Sequence, residues 1–412
     1  MARFKPFKSI RPRAELAAKV ASLPYDVMNR EEAKMMVAGN PDSFLHISRP
    51  EIDLDDSVDP YDEIVYRTAR KNLDSMIEKG SLIQDQVPKF YIYRQIMRGR
   101  VQTGIAGCAS IDDYLNDTIR KHELTRIEKE IDRINNFDHC GAHTEPVFLT
   151  YRKNEPMRCL LNDWIKWNKP LYDFTSDDGI THIVWDIDDA SAIKDIEELF
   201  GSMEYLYIAD GHHRTASSVK VGLKRREEAG RYSGDEEFNY ILAVAFPDED
   251  LFIMDYNRLV RDLNGYTAED FLTEVRRNFI VEMTGGQYKP KEKHTFGMVL
   301  EGKWYKLTAK PGTFDDHNVI DRLDVSILQN NLLGPVLGIK DPRTDKRIDF
   351  SGGIRGIEEL EKRTGQDMKV AFAMYPTTIE DLIAVADSGR IMPPKSTWFE
   401  PKLRSGLFLH KF

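Results

Sequence analysis

Apolar and polar residues follow two different periods along the chain. Short apolar runs that fit β-strands alternate with longer segments whose apolar residues recur every three or four positions, as in amphipathic helices. The repeated succession of strand and helix predicts an α/β protein, in the α+β sense of mixed sheets with helices packed on them. The clearest predicted strands are 145–151, 181–186, 205–208, 238–246 and 370–375, and the clearest helices are 190–201, 215–228, 267–279 and 378–388.

Several further stretches carry shorter patterns. Two β-prone runs flank the polar turn 98–100, which contains a glycine and therefore predicts a β-hairpin. A second hairpin is predicted around Pro247 and Asp248, between apolar strands at 238–246 and 250–260. Further predictions include a short strand at 43–49 and a helix at 318–333.

Composition narrows the class of protein. The chain has 412 residues, of which 41% are hydrophobic and 31% charged, as in globular proteins with a large core. No apolar run approaches the ~20 residues of a membrane-spanning helix, and the first residues lack the apolar stretch of a signal peptide. Three cysteines are too few for a disulfide framework, so we expect a reducing cytoplasm. A net charge of −10 argues against nucleic-acid binding and favours a small ligand in a local positive pocket.

The most informative stretch is Asp210–Arg214, which reads Asp-Gly-His-His-Arg between a predicted strand and a predicted helix. A glycine turn at a helix start presents backbone N–H groups and the positive end of the helix dipole, and both favour an anion, most often a phosphate. The alternative is an ordinary strand–turn–helix without a ligand. The two histidines and the arginine in the turn favour the anion site over this alternative. The candidate phosphate-binding residues are Asp210, Gly211, His212, His213 and Arg214.

A second informative stretch precedes the helix that is predicted to begin after Thr125. A solvated, salt-bridged helix explains the charges that follow, including Arg126. It explains His122 and Glu123 less well, because they lie before the helix. A carboxylate at such a turn serves as a general base if it faces a ligand hydroxyl.

Two other clusters carry weaker signals. The loop that holds Asp138, His139, Cys140 and His143 has metal-binding residue types, but no second Cys/His cluster completes a site, so a polar loop is the better interpretation. Tyr25 and Asp26 fit a structural turn as well as a binding site.

The third informative stretch is the loop 393–397, which reads Pro-Pro-Lys-Ser-Thr. Read structurally, it is a connection to the end of the chain. Read functionally, Lys395, Ser396 and Thr397 offer an ammonium group and two hydroxyls to a phosphate or a carboxylate. Asn257, in a predicted strand, is a further candidate for contact with a ligand.

Three of these stretches resemble one protein family in the same order. Asp210–Arg214 resembles the phosphate-binding turn of the ParB/sulfiredoxin superfamily, and most closely that of the archaeal free L-serine kinases. His122 and Glu123 resemble the segment that carries the kinase base, and 394–397 is similar to the kinases' Pro-Lys-Thr-Thr loop. The chain also resembles a family catalogued as domain of unknown function number 1015, in which the Lys-His-Glu and Gly-His-His-Arg elements recur.

The resemblance implies a domain organisation and a set of roles. It implies an N-terminal α/β region at 1–110, a ParB/sulfiredoxin-like nucleotide-binding core with an insertion at 111–262, and a C-terminal α/β domain at 263–412. It implies phosphoryl transfer from ADP or ATP, with Mg²⁺, to the hydroxyl of free L-serine or a similar amino acid. Glu123 is then the base, assisted by His122, and the residues that contact the amino acid are Lys395, Ser396, Thr397, Asn257 and Arg126.

The same resemblance leaves two other functions open. One is a nucleotide-binding switch of the ParB type, although the chain shows neither a helix-turn-helix nor a basic surface segment. The other is a phosphatase acting on phosphoserine-like metabolites through the same anion site. A homodimer is also left open, and no nucleic-acid or membrane partner is expected.

Overall fold

The computed structural model describes all 412 residues, and they form a mixed α/β fold with several sheets and 13 α-helices. The helices are α1 Ala17–Val20, α2 Arg30–Val37, α3 Leu45–Ser48, α4 Glu63–Glu78, α5 Ile111–Leu115, α6 Ile127–Cys140, α7 Glu155–Trp167, α8 Ala190–Ser202, α9 His212–Ala229, α10 Ala268–Asn278, α11 Asp324–Leu328, α12 Glu358–Thr364 and α13 Ile379–Asp387. No helix is both long and apolar enough to cross a lipid bilayer.

The strands are short and distributed along the whole chain. They are β1 Phe4–Lys5, β2 Ile10–Pro12, β3 Leu82–Gln84, β4 Phe90–Met97, β5 Arg100–Ser110, β6 Ile119–Arg120, β7 Ala142–His143, β8 Val147–Tyr151, β9 Tyr172–Thr175, β10 Thr181–Ile187, β11 Leu206–Asp210, β12 Tyr240–Pro247, β13 Ile253–Met254, β14 Tyr256–Val260, β15 Phe279–Met283, β16 Thr295–Leu300, β17 Lys303–Ala309, β18 Ile348–Gly352, β19 Val370–Ala373, β20 Trp398–Phe399 and β21 His410–Lys411.

The chain divides into two compact units, each built from separate stretches of sequence. The first unit comprises Met1–Lys121, Thr125–Leu251 and Pro401–Phe412. The second comprises His122–Leu124 and Phe252–Glu400. The three-part division into 1–110, 111–262 and 263–412 stays a prediction, as does the ParB/sulfiredoxin-like character of the core.

The first unit is organised around a nine-stranded mixed sheet. Its order is β6-β11-β8-β12-β5-β4-β10-β9, with β1 added beside β5. The β11–β6 and β12–β8 pairs are parallel, and the others are antiparallel. Helices α7 and α8 contribute Met157, Leu161, Ile196 and Phe200 to the buried core of this sheet. Burial of such a continuous apolar face is the main stabilisation of a layered α/β unit.

The second unit has a six-stranded antiparallel sheet of order β15-β17-β16-β19-β14-β18. Its core is built from residues of several of those strands together with helix α12. Helix α13 begins after Thr378, whose hydroxyl accepts a hydrogen bond from the Asp381 N–H in a reciprocal capping box. The sequence predicted this helix and strand β19 correctly.

Two predicted elements prove wrong. Residues 43–49 contain helix α3 rather than a strand, because a seven-residue run with three apolar positions fits one helical turn as well as an extended segment. The hairpin around Pro247 and Asp248 does not form. Strand β12 already has β5 and β8 on its two edges, so the following segment joins the other unit as β13 and β14. The hairpin at 98–100 is confirmed.

The helix predicted at 318–333 is only partly present. Helix α11 begins at Asp324 and continues into a π-helical segment, Gln329–Leu333. The preceding residues, 318–323, form turns, in which the Asn318 side chain accepts the Ile320 N–H at 3.0 Å. A short side chain that bonds nearby backbone in this way competes with helix formation.

Candidate functional site

The Asp210–Arg214 stretch forms the connection between strand β11 and helix α9. Gly211 is the N-cap residue of α9 and has φ +89°, in the left-handed region that side chains other than glycine rarely adopt. A glycine has no side-chain oxygen to offer to the first N–H groups of the helix. This is the local geometry that anion-binding helix starts share.

The Asp210 carboxylate is held inside the turn. It accepts the Gly211 N–H at 2.8 Å and the Lys402 ammonium at 2.8 Å. Burial by itself raises the pKa of Asp210, but Lys402 and Arg214 outweigh it and hold the pKa well below its usual range. Asp210 is therefore ionised and already neutralised by cations of the protein.

Arg214 lies beneath the turn and is only 3% exposed. Its Nη1 donates to the Pro146 carbonyl at 2.6 Å, and its Nε lies 3.0 Å from the position that a Cβ on Gly211 would occupy. Burial lowers the pKa of Arg214, but the charges of Asp26, Asp210 and Glu145 outweigh that effect and raise it. The guanidinium thus supports the turn from below and adds positive potential to it.

The two histidines of the turn are held differently. His212 is 5% exposed, at the first position of α9. His213 is partly exposed, and its Nε2 accepts the Arg126 backbone N–H at 2.9 Å. Because Nε2 acts as the acceptor, the neutral His213 carries its proton on Nδ1. Arg126 is the N-cap residue of α6, so this bond ties the starts of α6 and α9 together.

The second unit contains the other predicted catalytic stretch. His122 is 1% exposed, and its carbonyl accepts the Met392 N–H at 2.8 Å. Glu123, the next residue, is partly exposed. The hydrogen bond from Met392 attaches the His122–Leu124 segment to the residue that precedes the Pro-Pro-Lys-Ser-Thr loop.

That loop is fixed by hydrogen bonds to distant parts of the same unit. Lys395 has φ +59°, and its carbonyl accepts from Arg258 Nη2 at 2.9 Å. The Ser396 hydroxyl donates to the Pro393 carbonyl at 2.6 Å, and the Ser396 carbonyl accepts from the Thr377 hydroxyl at 2.8 Å. The Lys395 ammonium lies 5.5 Å from the centre of the Tyr256 ring. Thr397 is partly exposed.

Asn257 is a buried member of strand β14. Its amide Nδ2 donates to Asp255 Oδ2 at 2.6 Å, and its Oδ1 accepts the Met374 N–H at 2.9 Å. Lys289 completes the group through an ammonium that lies 2.9 Å from Asp255 Oδ1. The amide therefore joins β14 to the end of β19.

The structure brings the predicted residues together in two groups. In the first unit, Arg126 joins the Asp210–Arg214 turn. In the second unit, His122 joins the Lys395–Thr397 loop. Sequence reasoning missed Lys402, which holds the first group in place, since it acts on a residue far away in the sequence.

Three of the residues weighed as metal ligands have partners within the protein. Asp138 lies 2.6 Å from the charged groups of both Lys224 and Arg225. His139 Nδ1 lies 2.8 Å from the Asn135 carbonyl, one helical turn earlier. His143 Nδ1 lies 3.2 Å from His410 Nδ1. The prediction of a polar loop is wrong, because helix α6 continues through Cys140 to its C-cap residue Gly141 and His143 lies in β7.

Comparison with known proteins assigns the chain to a family. A family model described as a protein of unknown function, DUF1015, matches residues 4–326, which is more than half of the chain. The chain belongs to this family. No curated protein matches it.

Distant solved structures resemble this DUF1015 protein. A conserved hypothetical protein from Pyrococcus furiosus is 13% identical with a TM-score of 0.35, over 71% of this chain and 91% of that one. A free serine kinase in complex with AMP is 13% identical with a TM-score of 0.36, over 71% and 89%. SbnI with a C-terminal truncation, from Staphylococcus aureus, is 10% identical with a TM-score of 0.39, over 72% and 84%.

Proposed function

We propose that this DUF1015 protein is a small-molecule kinase that transfers a phosphoryl group from ADP or ATP to the hydroxyl of free L-serine or a similar hydroxy amino acid. One observation carries the proposal: the turn at Gly211 combines a glycine N-cap with a carboxylate that Lys402 already neutralises. Such a turn repels phosphate less than a free aspartate would, and it retains the positive end of the helix dipole.

The proposal assigns nucleotide binding to the turn in the first unit. Backbone N–H groups at 212–214 and the His213 ring donate to phosphate oxygens, while the Gly211 N–H stays on the Asp210 carboxylate. The buried guanidinium of Arg214 adds positive potential without leaving its place under Gly211. Fixed donors of this kind do not need to reorganise when charge develops on the transferring group.

Acceptor chemistry is assigned to the second unit. Glu123 takes the proton of the attacking hydroxyl, and Lys395, Ser396 and Thr397 hold the amino acid or its new phosphate. Support comes from the Met392–His122 hydrogen bond, which keeps the acid-bearing segment next to the Lys-Ser-Thr loop within one unit. The side-chain amide of Asn257, a proposed amino-acid contact, is engaged in structural hydrogen bonds and is secondary to that loop, whereas Arg126, the other proposed contact, uses only its backbone N–H to bind His213.

The reaction balances without any further reactant. The serine hydroxyl oxygen forms a bond to the terminal phosphorus of the donor, the bond to the leaving phosphate oxygen breaks, and AMP or ADP departs. Glu123 receives the hydroxyl proton. Mg²⁺ bound with the nucleotide would supply charge neutralisation at the donor phosphates and would need few protein ligands. The turn offers N–H donors and cations, so its residues suit the phosphates of such a complex rather than the ion itself.

The test is phosphorus NMR of the protein with Mg²⁺, ADP or ATP, and L-serine. We expect a phosphomonoester signal and consumption of the donor. In the Glu123→Gln variant we expect turnover to fall by at least ~100-fold, because the base is lost, while nucleotide affinity changes little. Glu128→Gln, which changes an exposed acid on α6, is the matched control and should retain activity.

Other outcomes identify the alternative functions. Nucleotide hydrolysis without a phosphorylated small molecule indicates a nucleotide-binding switch. Release of free phosphate from phosphoserine, without ATP formation when ADP is present, indicates a phosphatase. Full activity of Glu123→Gln would refute the role of Glu123 as the base.

A further inference from the structure

A cavity of about 200 Å³ opens in the first unit, beside the ends of several strands. Its walls come from hairpin β4–β5, the end of β8, the start of α7 and the turn after β12. It is smaller than the ~300–1,000 Å³ of pockets for drug-sized ligands, so it suits a ligand of few heavy atoms. None of the residues assigned to phosphoryl transfer lines it.

One wall carries an arginine that is not ion-paired. The Arg94 Nε donates to the Thr103 hydroxyl at 3.0 Å, and the guanidinium carbon lies 5.6 Å from the centre of the Trp185 ring. Burial lowers the pKa of Arg94, and the charge of Asp250 opposes that shift only in part. Its terminal nitrogens form no ion pair with a carboxylate of the protein. A carboxylate partner stabilises a half-buried guanidinium of this kind.

A carboxyl group, that of Asp250, is bound to the backbone of the same threonine, Thr103. The Thr103 backbone N–H donates to Asp250 Oδ2 at 3.0 Å, and burial raises the pKa of Asp250. One threonine thus holds a guanidinium with its hydroxyl and a carboxyl group with its backbone, while the two charged groups form no ion pair with each other. Arg158 and Glu249 add one further charge of each sign to the walls.

The pattern of charge in the cavity specifies the class of ligand. Two positive and two negative side chains line it, so a ligand with a large net charge would meet as much repulsion as attraction. A small molecule with separated positive and negative ends satisfies both Arg94 and Asp250. Tyr151 and Leu161 supply apolar surface for a short carbon skeleton.

We propose that this cavity binds a small zwitterion, a free α-amino acid, with the ligand carboxylate on Arg94 and the ligand ammonium on Asp250. The site is separate from the Lys395–Thr397 loop and does not depend on the proposed kinase activity. Because amino acids are also the proposed acceptors, occupancy of this cavity would let the protein respond to amino-acid concentration at a second place.

Calorimetric titration of the full chain with glycine tests this proposal. We expect saturable binding that weakens about tenfold or more in Arg94→Met and in Asp250→Asn, because each variant removes one charged contact. Arg67→Met, which removes an exposed arginine from helix α4, should bind as the parent protein does. Lys395→Ala should also retain glycine binding, which separates this cavity from the proposed acceptor site.

Acetate and methylammonium, each carrying half of the zwitterion, complete the test. Both should bind more weakly than glycine. Absence of glycine binding, equal affinity for acetate and glycine, or unchanged binding in Arg94→Met would each overturn the proposal. Circular dichroism confirms that each variant is folded. Phosphorus NMR of turnover is a separate measurement, so loss of the kinase activity and loss of this site are told apart.

Discussion

The pKa values of Asp210 in the first unit and Asp324 in the second are shifted in opposite directions. Lys402 and Arg214 outweigh the burial of Asp210 and hold its pKa well below its usual range. Burial of Asp324 prevails and raises its pKa to about 7, although the His294 N–H and Lys293 oppose the shift. The ammonium of Lys293 is already bound, 2.6 Å from Asp381.

The difference shows that a neighbouring cation stabilises a carboxylate only when no other acid takes that cation. Lys402 lies 2.8 Å from Asp210, and its side chain is 10% exposed. Near Asp324, Lys293 forms its ion pair with Asp381 instead. The first arrangement keeps a fixed pair of charges at the candidate phosphate turn, whereas the second produces a group that titrates near neutral pH.

The largest expected effect concerns the pH dependence of unfolding. Because the folded-state pKa of Asp324 is raised to about 7, the folded protein keeps a proton that the unfolded chain releases near pH ~4. Stability therefore falls as pH rises through that window, by up to roughly 4 kcal/mol. Asp324→Asn should flatten this slope in denaturant titrations between pH 4 and pH 8, and an unchanged slope would remove Asp324 as its cause.

A smaller effect is expected when the cation beside Asp210 is removed. Lys402→Met should lower the free energy of unfolding at neutral pH by ~1–3 kcal/mol, since it leaves the Asp210 carboxylate without its ammonium partner. The depressed pKa of Asp210 adds stability above pH ~4 that is lost as pH falls, so the parent and the variant should converge in acid. The control is Lys224→Met, which breaks a surface pair with Asp138 and should cost at most ~1 kcal/mol. Equal losses in the two variants would contradict the comparison.

The smallest effect compares the two ends of helix α9. Gly211 and Gly230 both have positive φ, so alanine at either position costs ~1–2 kcal/mol of backbone strain. Only at Gly211 would the new Cβ also meet the Arg214 guanidinium, at 3.0–3.1 Å. Gly211→Ala should therefore cost more than Gly230→Ala in thermal unfolding and should weaken nucleotide binding. Equal losses of stability in the two variants would show that the Arg214 side chain moves away from the new Cβ without an energetic cost.

Much of the fold can be predicted from local pattern. Helix α10 and strand β10 follow directly from apolar periodicity, and the Gly211 turn follows from residue types. The sheet partners cannot be predicted in this way. Strand β12 and the segment after it look like a hairpin in sequence, but the neighbours of β12 come from more than ninety residues earlier in the chain.

The candidate site is predictable to the same extent. Asp210–Arg214 was recognisable because its residues are contiguous, and His122 and the Lys395 loop because each is a short cluster. Lys402 carried no signal, since it lies 192 residues from Asp210. Nor does sequence indicate that Arg214 is buried under Gly211 rather than directed outward, because burial depends on distant contacts such as the hydrogen bond to the Pro146 carbonyl.

The segment Pro401–Phe412, which supplies Lys402 to the turn in the first unit, also affects how the chain is made. On the ribosome, residues 252–400 are translated after Leu251 and before this segment. The nascent first unit therefore lacks its ammonium partner for Asp210, and the strand β21 that pairs with β7, while the whole second unit is being synthesised. The candidate phosphate turn can therefore reach its final state only after translation has passed the second unit.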